Sequence, residues 1–190
     1  MIEISFWTGI LCFTAVWLLV RVIVWIKNKK VDLKREALLL LMYVNLAVII
    51  RFTFYPFSMV DGRIQPLLFD PNSAFPFRIN EIPFTNLFDY PTKKEILINL
   101  IGNSAMFIPT GIILPILYKK LDRFWKVILC GALISLTIEI IQLPFYVRVS
   151  DVNDLILNTV GVAAGYGIYA LCRKLFKRKN HRRVLKGCRS

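Results

Sequence analysis

Histidine is nearly absent from this chain, and cysteine is sparse and unpaired. The one histidine, His181, lies in a basic tail, which argues against a Ser-His-Asp triad or a two-histidine metal site. Four cysteines, Cys12, Cys130, Cys172 and Cys188, include no CxxC pair. Three of them lie within apolar blocks, so neither a disulfide framework nor a zinc site is indicated. Charge is scarce as well, at 19% of residues against roughly 25% in soluble domains. No basic residue precedes the first apolar run and no small-residue cleavage motif follows it, so that run is expected to be a resident helix rather than a signal peptide.

What fills the space is apolar sequence, 56% of the chain, gathered into long blocks. A helix needs about 20 residues to cross hydrocarbon. Stretches at about 4–26, 37–57, 96–118, 127–147 and 155–172 qualify. Each must be helical, because lipid offers backbone groups no other partner. The expected fold is therefore an all-α polytopic membrane protein, a single transmembrane domain of five helices over 1–190, with a long loop between helices 2 and 3.

The net charge of +13 would suggest nucleic acid if the basic residues shared a soluble face. They sit instead between and after the apolar blocks, so no nucleic-acid partner is expected. Arg21, Lys27, Lys29, Lys30, Lys34 and Arg35 accompany the first connection, and Lys119, Lys120, Arg123 and Lys126 the third. With the basic tail at 173–190, nineteen of the 25 fall on one side. The positive-inside rule places that side, and the C-terminus, in the cytoplasm of a multi-pass protein, with the N-terminus outside. The tail is then a topology determinant and a contact for anionic membrane lipid.

The outer loop, about 37 residues from Ser58 to Lys94, carries Phe69, Phe75, Phe77, Phe84, Phe88 and Tyr90, with prolines at 66, 71, 76, 83 and 91. It is too apolar for a solvated linker and is expected to lie on the membrane surface or fold back over the helices.

Polar groups inside hydrocarbon are costly and therefore informative. Asn99 and Asn103 share a face of helix 3, Glu139 and Gln142 a face of helix 4, and Asp154 and Asn158 lie four apart at the start of helix 5. Arg148 and Asp151 lie between helices 4 and 5. The topology puts all eight in the outer half, with Glu139 about 12 Å below the end of helix 4 and Arg148 at the surface. A shared outward-facing pocket is the expectation. Taken singly, Asn99, Asn103, Gln142 and Asn158 also suit interhelical hydrogen bonding, and Arg148, Asp151 and Asp154 suit capping of helix 5. Glu139 needs a cation or a raised pKa at that depth. Pro109 and Pro144 are expected to free the carbonyls of Ala105 and Ile140. Gly161, Gly165 and Gly167 with Ala164 form a small-residue face suited to close packing.

These residues resemble the VanZ-like family. The match lies in Asn99-Leu-Ile-Gly-Asn103, Phe107-Ile-Pro109-Thr-Gly111, Ser135-Leu-Thr-Ile-Glu139-Ile-Ile-Gln142, Arg148, Ser150-Asp151-Val-Asn-Asp154 and Asn158-Thr-Val-Gly161. In the loop, Asn80-Glu-Ile-Pro83-Phe84 is similar to the family's Asn-x-x-Pro-Phe element. The resemblance covers about 78–172 and implies a bacterial cytoplasmic-membrane protein with a part in low-level teicoplanin resistance. It defines no reaction, and names no cofactor or metal. Three readings of the pocket stay open: a site binding a glycopeptide or lipid-linked wall precursor, an intramembrane enzyme acting on a polyprenyl phosphate with Glu139, Asp151 and Asp154 as base or cation ligands, and a small lipid carrier.

Overall fold

A computed structural model describes residues 1–55, 59–76, 78–85, 92–146 and 148–187. Ser58, Phe77, Phe88, Tyr90, Pro91 and Cys188, named above, lie outside the described residues, as do positions 57, 147 and 189 of the stretches given there.

Among the described residues, five helices are long and apolar enough to cross a membrane: α1 (Phe6–Asn28), α2 (Leu33–Phe54), α3 (Lys93–Leu117), α4 (Phe124–Gln142) and α5 (Val152–Gly187). Their ends depart from the apolar runs for local reasons. Helix α1 starts two residues later than the run does, because Ser5 caps it by accepting from the Thr8 amide at 3.1 Å. Asp32 starts α2 within the polar linker, accepting from the amides of Lys34 and Arg35 at 3.0 and 3.2 Å. Helix α4 stops at Gln142 rather than near 147, since Pro144 has no amide to extend it. The carbonyl of Ile140 is not freed by this proline; it accepts from the Leu143 amide at 3.3 Å. Helix α5 does not end at 172. It begins with Asp154 in its first turn and runs on through the basic segment, where Lys and Arg are good helix formers.

Helix α3 is the hub, packed most extensively on α5 and also on α2 and α4, whereas α1 rests on α2. Phe107 of α3, Ile49 of α2, Val127 of α4 and Val162 of α5 are all fully buried and form the centre of the core. Leu11, Leu19, Leu129 and Leu171 are exposed, as lipid-facing positions of a membrane bundle are.

Short strands close one end of the bundle: β1 (Ile2–Ile4), β2 (Met59–Val60), β3 (Arg63–Ile64), β4 (Leu67–Phe69), β5 (Ile79–Asn80) and β6 (Ser150–Asp151). The long loop folds back over the helices through them. Strand β4 pairs antiparallel with β1, Glu3 opposite Leu68. Its other edge meets the turn after α4, where Tyr146 donates to the Leu68 carbonyl at 3.0 Å and Asp70 to the Pro144 carbonyl at 2.9 Å. Strand β5 pairs parallel with β6, Asn80 opposite Asp151. The loop thus forms a cap tied to the N-terminus, to the end of α4 and to the start of α5.

Candidate functional site

Glu139, Gln142, Arg148, Asp151 and Asp154 lie around the ends of α2, α4 and α5 beneath this cap, with Asn103 of α3 reaching Asp154, and helix-end chemistry explains most of their contacts. The last turn of a helix leaves carbonyls without partners and carries partial negative charge. At the end of α2, Gln142 Nε2 donates to the Thr53 carbonyl at 2.6 Å, and Arg148 Nε donates to the Phe54 carbonyl at 2.9 Å. Arg148 is therefore not a surface group, and it caps α2 rather than α5. Burial pulls its pKa below the ordinary guanidinium range, Asp154 opposes that pull and Arg51 adds to it.

The acids collect at the opposite polarity, the N-terminus of α5. Asp151 Oδ1 accepts from the Asn153 amide at 2.8 Å, capping the helix, and from Asn80 Nδ2 at 3.1 Å. Glu139 Oε2 accepts from the Asp151 amide at 2.9 Å. Asp154 Oδ1 accepts from Asn103 Nδ2 at 2.7 Å and lies within electrostatic range of Glu139, Asp151 and Arg148. Arg148, at the C-terminal end of α2, thus interacts with Asp154 in the first turn of α5, with Glu139 and Asp151 alongside, and both Arg148 and Asp154 are favoured by the helix dipole that they meet.

The early end of α4 changes the setting of Glu139. It stands three residues before the last helical residue, about 4.5 Å from the end rather than about 12 Å. Its 4% exposure reflects cover by the protein's own cap and the start of α5 rather than depth in hydrocarbon. Asn158, 1% exposed, lies a turn deeper and donates to Ser135 Oγ at 2.9 Å. Asn99 is half-buried on α3, in the turn preceding Asn103.

Two buried side-chain atoms in this region find no hydrogen-bond partner among the described residues: Arg148 Nη2 and Asn158 Oδ1. No group of three His, Cys, Asp or Glu side chains comes together as a metal site among the described residues, Glu139, Asp151 and Asp154 included.

Several contributors were not singled out from sequence. Asn153 is 4% exposed and clamps the cap, accepting from the Phe84 amide at 2.7 Å and donating to the Thr85 carbonyl at 2.9 Å. Its place between two acids in Asp151-Val-Asn-Asp154 was a usable signal. Asn45 donates to the Met106 carbonyl at 2.8 Å and accepts from Thr110 Oγ1 at 2.7 Å, joining α2 to α3. Arg78, from the cap, donates to the carbonyl of Tyr146.

This is a multi-pass membrane protein in which a charged cluster between helix ends is covered by a folded loop. The chain belongs to the VanZ/LLP1 family, whose profile matches residues 38–173 and so takes in most of α2, all of α3 and α4, and α5 as far as residue 173. It is similar to Protein VanZ of Enterococcus faecium, 37% identical over 86 residues, which are 45% of this chain and 53% of that protein. The alignment thus spans about half the length of this curated relative. No solved structure matches the chain.

Proposed function

We propose that this protein works in the bacterial cytoplasmic membrane, with its capped end facing outward, and contributes to glycopeptide tolerance by holding an amphiphile at the Glu139–Arg148 cluster. The amphiphile is the drug itself, teicoplanin in the first instance, or a lipid-linked wall precursor. The distribution of basic residues supports the orientation, since nineteen of the 25 belong to the opposite end. The observation that carries the binding reading is Arg148 Nη2, a buried guanidinium donor without a partner. Leaving such a donor unsatisfied costs about 1–3 kcal/mol or more, and an anionic group of a ligand would recover it. Phe75 and Phe84, exposed on the cap, offer an apolar surface to the ligand's lipid chain.

The test is glycopeptide susceptibility in a host expressing the wild-type chain, Glu139→Gln or Arg148→Ala at equal membrane levels. Wild type is expected to raise the inhibitory concentration of teicoplanin, and each variant to return it to that of the empty vector. Full tolerance in both variants would remove the cluster from the reading. A wild-type chain that protects against no glycopeptide would remove the function itself.

A further inference from the structure

The opposite end of the molecule holds a cavity, made where the first turn of α2 meets the end of α3. This open cavity of about 470 Å³ is lined by Lys34, Arg35, Lys119 and Lys120, with Leu38 and Ile116 on its apolar wall. Asp32 and Tyr118 complete the rim. The acids nearby are already committed. Asp32 Oδ1 accepts from the amides of Lys34 and Arg35, so it serves the helix start. Glu36 is engaged by Arg21 of α1 in a part-buried ion pair. Arg35 is held over the Tyr118 ring, its guanidinium carbon 5.6 Å from the centroid, which fixes one cation at the cavity wall. Four cations therefore converge against one capping carboxylate, next to aliphatic side chains that continue onto the helix surface, Ile116 being exposed.

We propose that this cavity binds the phosphate headgroup of an anionic membrane lipid, with an acyl chain along Leu38 and Ile116. Cations alone would suit any phosphate. The adjoining apolar wall, at the point where apolar helix gives way to charged linker, favours one carried by a lipid. The site is independent of the Glu139–Arg148 cluster and of the reading given to it.

The full chain in nanodiscs of phosphatidylcholine, with or without phosphatidylglycerol, tests this by native mass spectrometry of retained lipid and by thermal unfolding. Wild type is expected to retain phosphatidylglycerol and to unfold at a higher temperature in its presence. The quadruple variant K34Q/R35Q/K119Q/K120Q should bind it on the order of a hundredfold more weakly or worse, since it removes all four cations from the cavity. The variant K174Q/K177Q/R178Q, which removes three charges from α5, should weaken retention by much less than the quadruple variant, since the tail meets the lipid surface in general rather than one seated headgroup. K119Q/K120Q alters only the exposed turn after α3 and keeps the comparison if the quadruple variant folds poorly. Equal losses in cavity and α5 variants, or no retention by wild type, would overturn the proposal. Stabilisation by inorganic phosphate in pure phosphatidylcholine, equal to that by phosphatidylglycerol, would overturn the lipid as its source.

Discussion

Tyr55 shows how a single side chain joins the parts of this molecule. It stands just past α2, is 2% exposed, and its hydroxyl donates to the carbonyl of Ser5 at 3.3 Å, beside the cap of α1. Phe6 packs edge-on against its ring. Burial, with a smaller push from Cys12, raises its pKa above the ordinary value of 10.0. The unfolded chain therefore loses this proton first as pH rises, and the native state holds more protons than the unfolded one. Tyr55 contributes its full stability below about pH 10, and that contribution is lost as pH climbs through the native value. Tyr55→Phe is expected to cost about 0.5–1.5 kcal/mol at neutral pH through the missing hydrogen bond. The gap between wild type and variant should then close in alkali. Unfolding midpoints of both proteins in detergent across neutral to alkaline pH check this, and a gap that stays constant past pH 10 would refute it. At this scale the sequence exposed residue types but not their partners. Gln142 and Arg148 stood out as polar groups in apolar surroundings. Their acceptors are backbone carbonyls of α2, about 90 residues earlier in the chain, which no spacing rule could indicate. Asn45 escaped notice because a lone amide in an apolar run carries no spacing signal.

Among the elements, the contact of α3 with α5 decides whether the bundle holds. A side-chain carbon added at Gly161 would sit 2.0 Å from the Ser104 carbonyl oxygen, and one at Gly165 would sit 2.1 Å from that of Ile108. One at Gly111 would sit 2.2 Å from the Val162 carbonyl oxygen. The two backbones touch, and in membranes such packing replaces the hydrophobic drive that lipid cannot supply. Gly167 has open space around the same position, although sequence grouped it with Gly161 and Gly165. Gly165→Ala is expected to destabilise the protein by about 1–3 kcal/mol through overpacking. Gly167→Ala should be neutral or stabilising by up to about 1 kcal/mol, since alanine favours helix. Unfolding of the two variants in mixed micelles distinguishes them; equal effects would mean that backbone contact does not limit this seam. The five helices were legible because each is a long apolar run, and their hydrogen bonds are local. Folding back of the long loop was one of two expectations drawn from its aromatic content; the strands that fix it there were not legible, because two or three residues leave no periodic pattern, and their pairings join Glu3 to Leu68 and Asn80 to Asp151.

Across the whole molecule the two ends differ in charge and in construction. One end has the folded cap and the cluster around Arg148; the other has the α1–α2 and α3–α4 connections and the basic continuation of α5. The positive-inside rule predicts that the nineteen of 25 basic residues assigned to one end set the direction of every helix together. The expected arrangement has the Asp61–Gly62 turn outside, and the basic continuation of α5 inside. Single cysteines on a background with the native cysteines replaced report this directly. At Asp61 a membrane-impermeant maleimide should label intact cells, and at Lys179 it should label only after permeabilisation. The bias can also be reversed by design. Replacing Lys27, Lys29, Lys30, Lys34 and Arg35 with glutamine leaves the first connection nearly uncharged while the third connection and the tail keep theirs. If orientation follows the summed charge, that variant keeps its labelling pattern. If the first connection dominates insertion, the label at Asp61 is lost from intact cells. Labelling of the cysteine at position 179 in intact cells, with the basic residues of the first connection unchanged, would turn the molecule over, and would put the Arg148 cluster on the cytoplasmic side, out of reach of a drug that acts from outside.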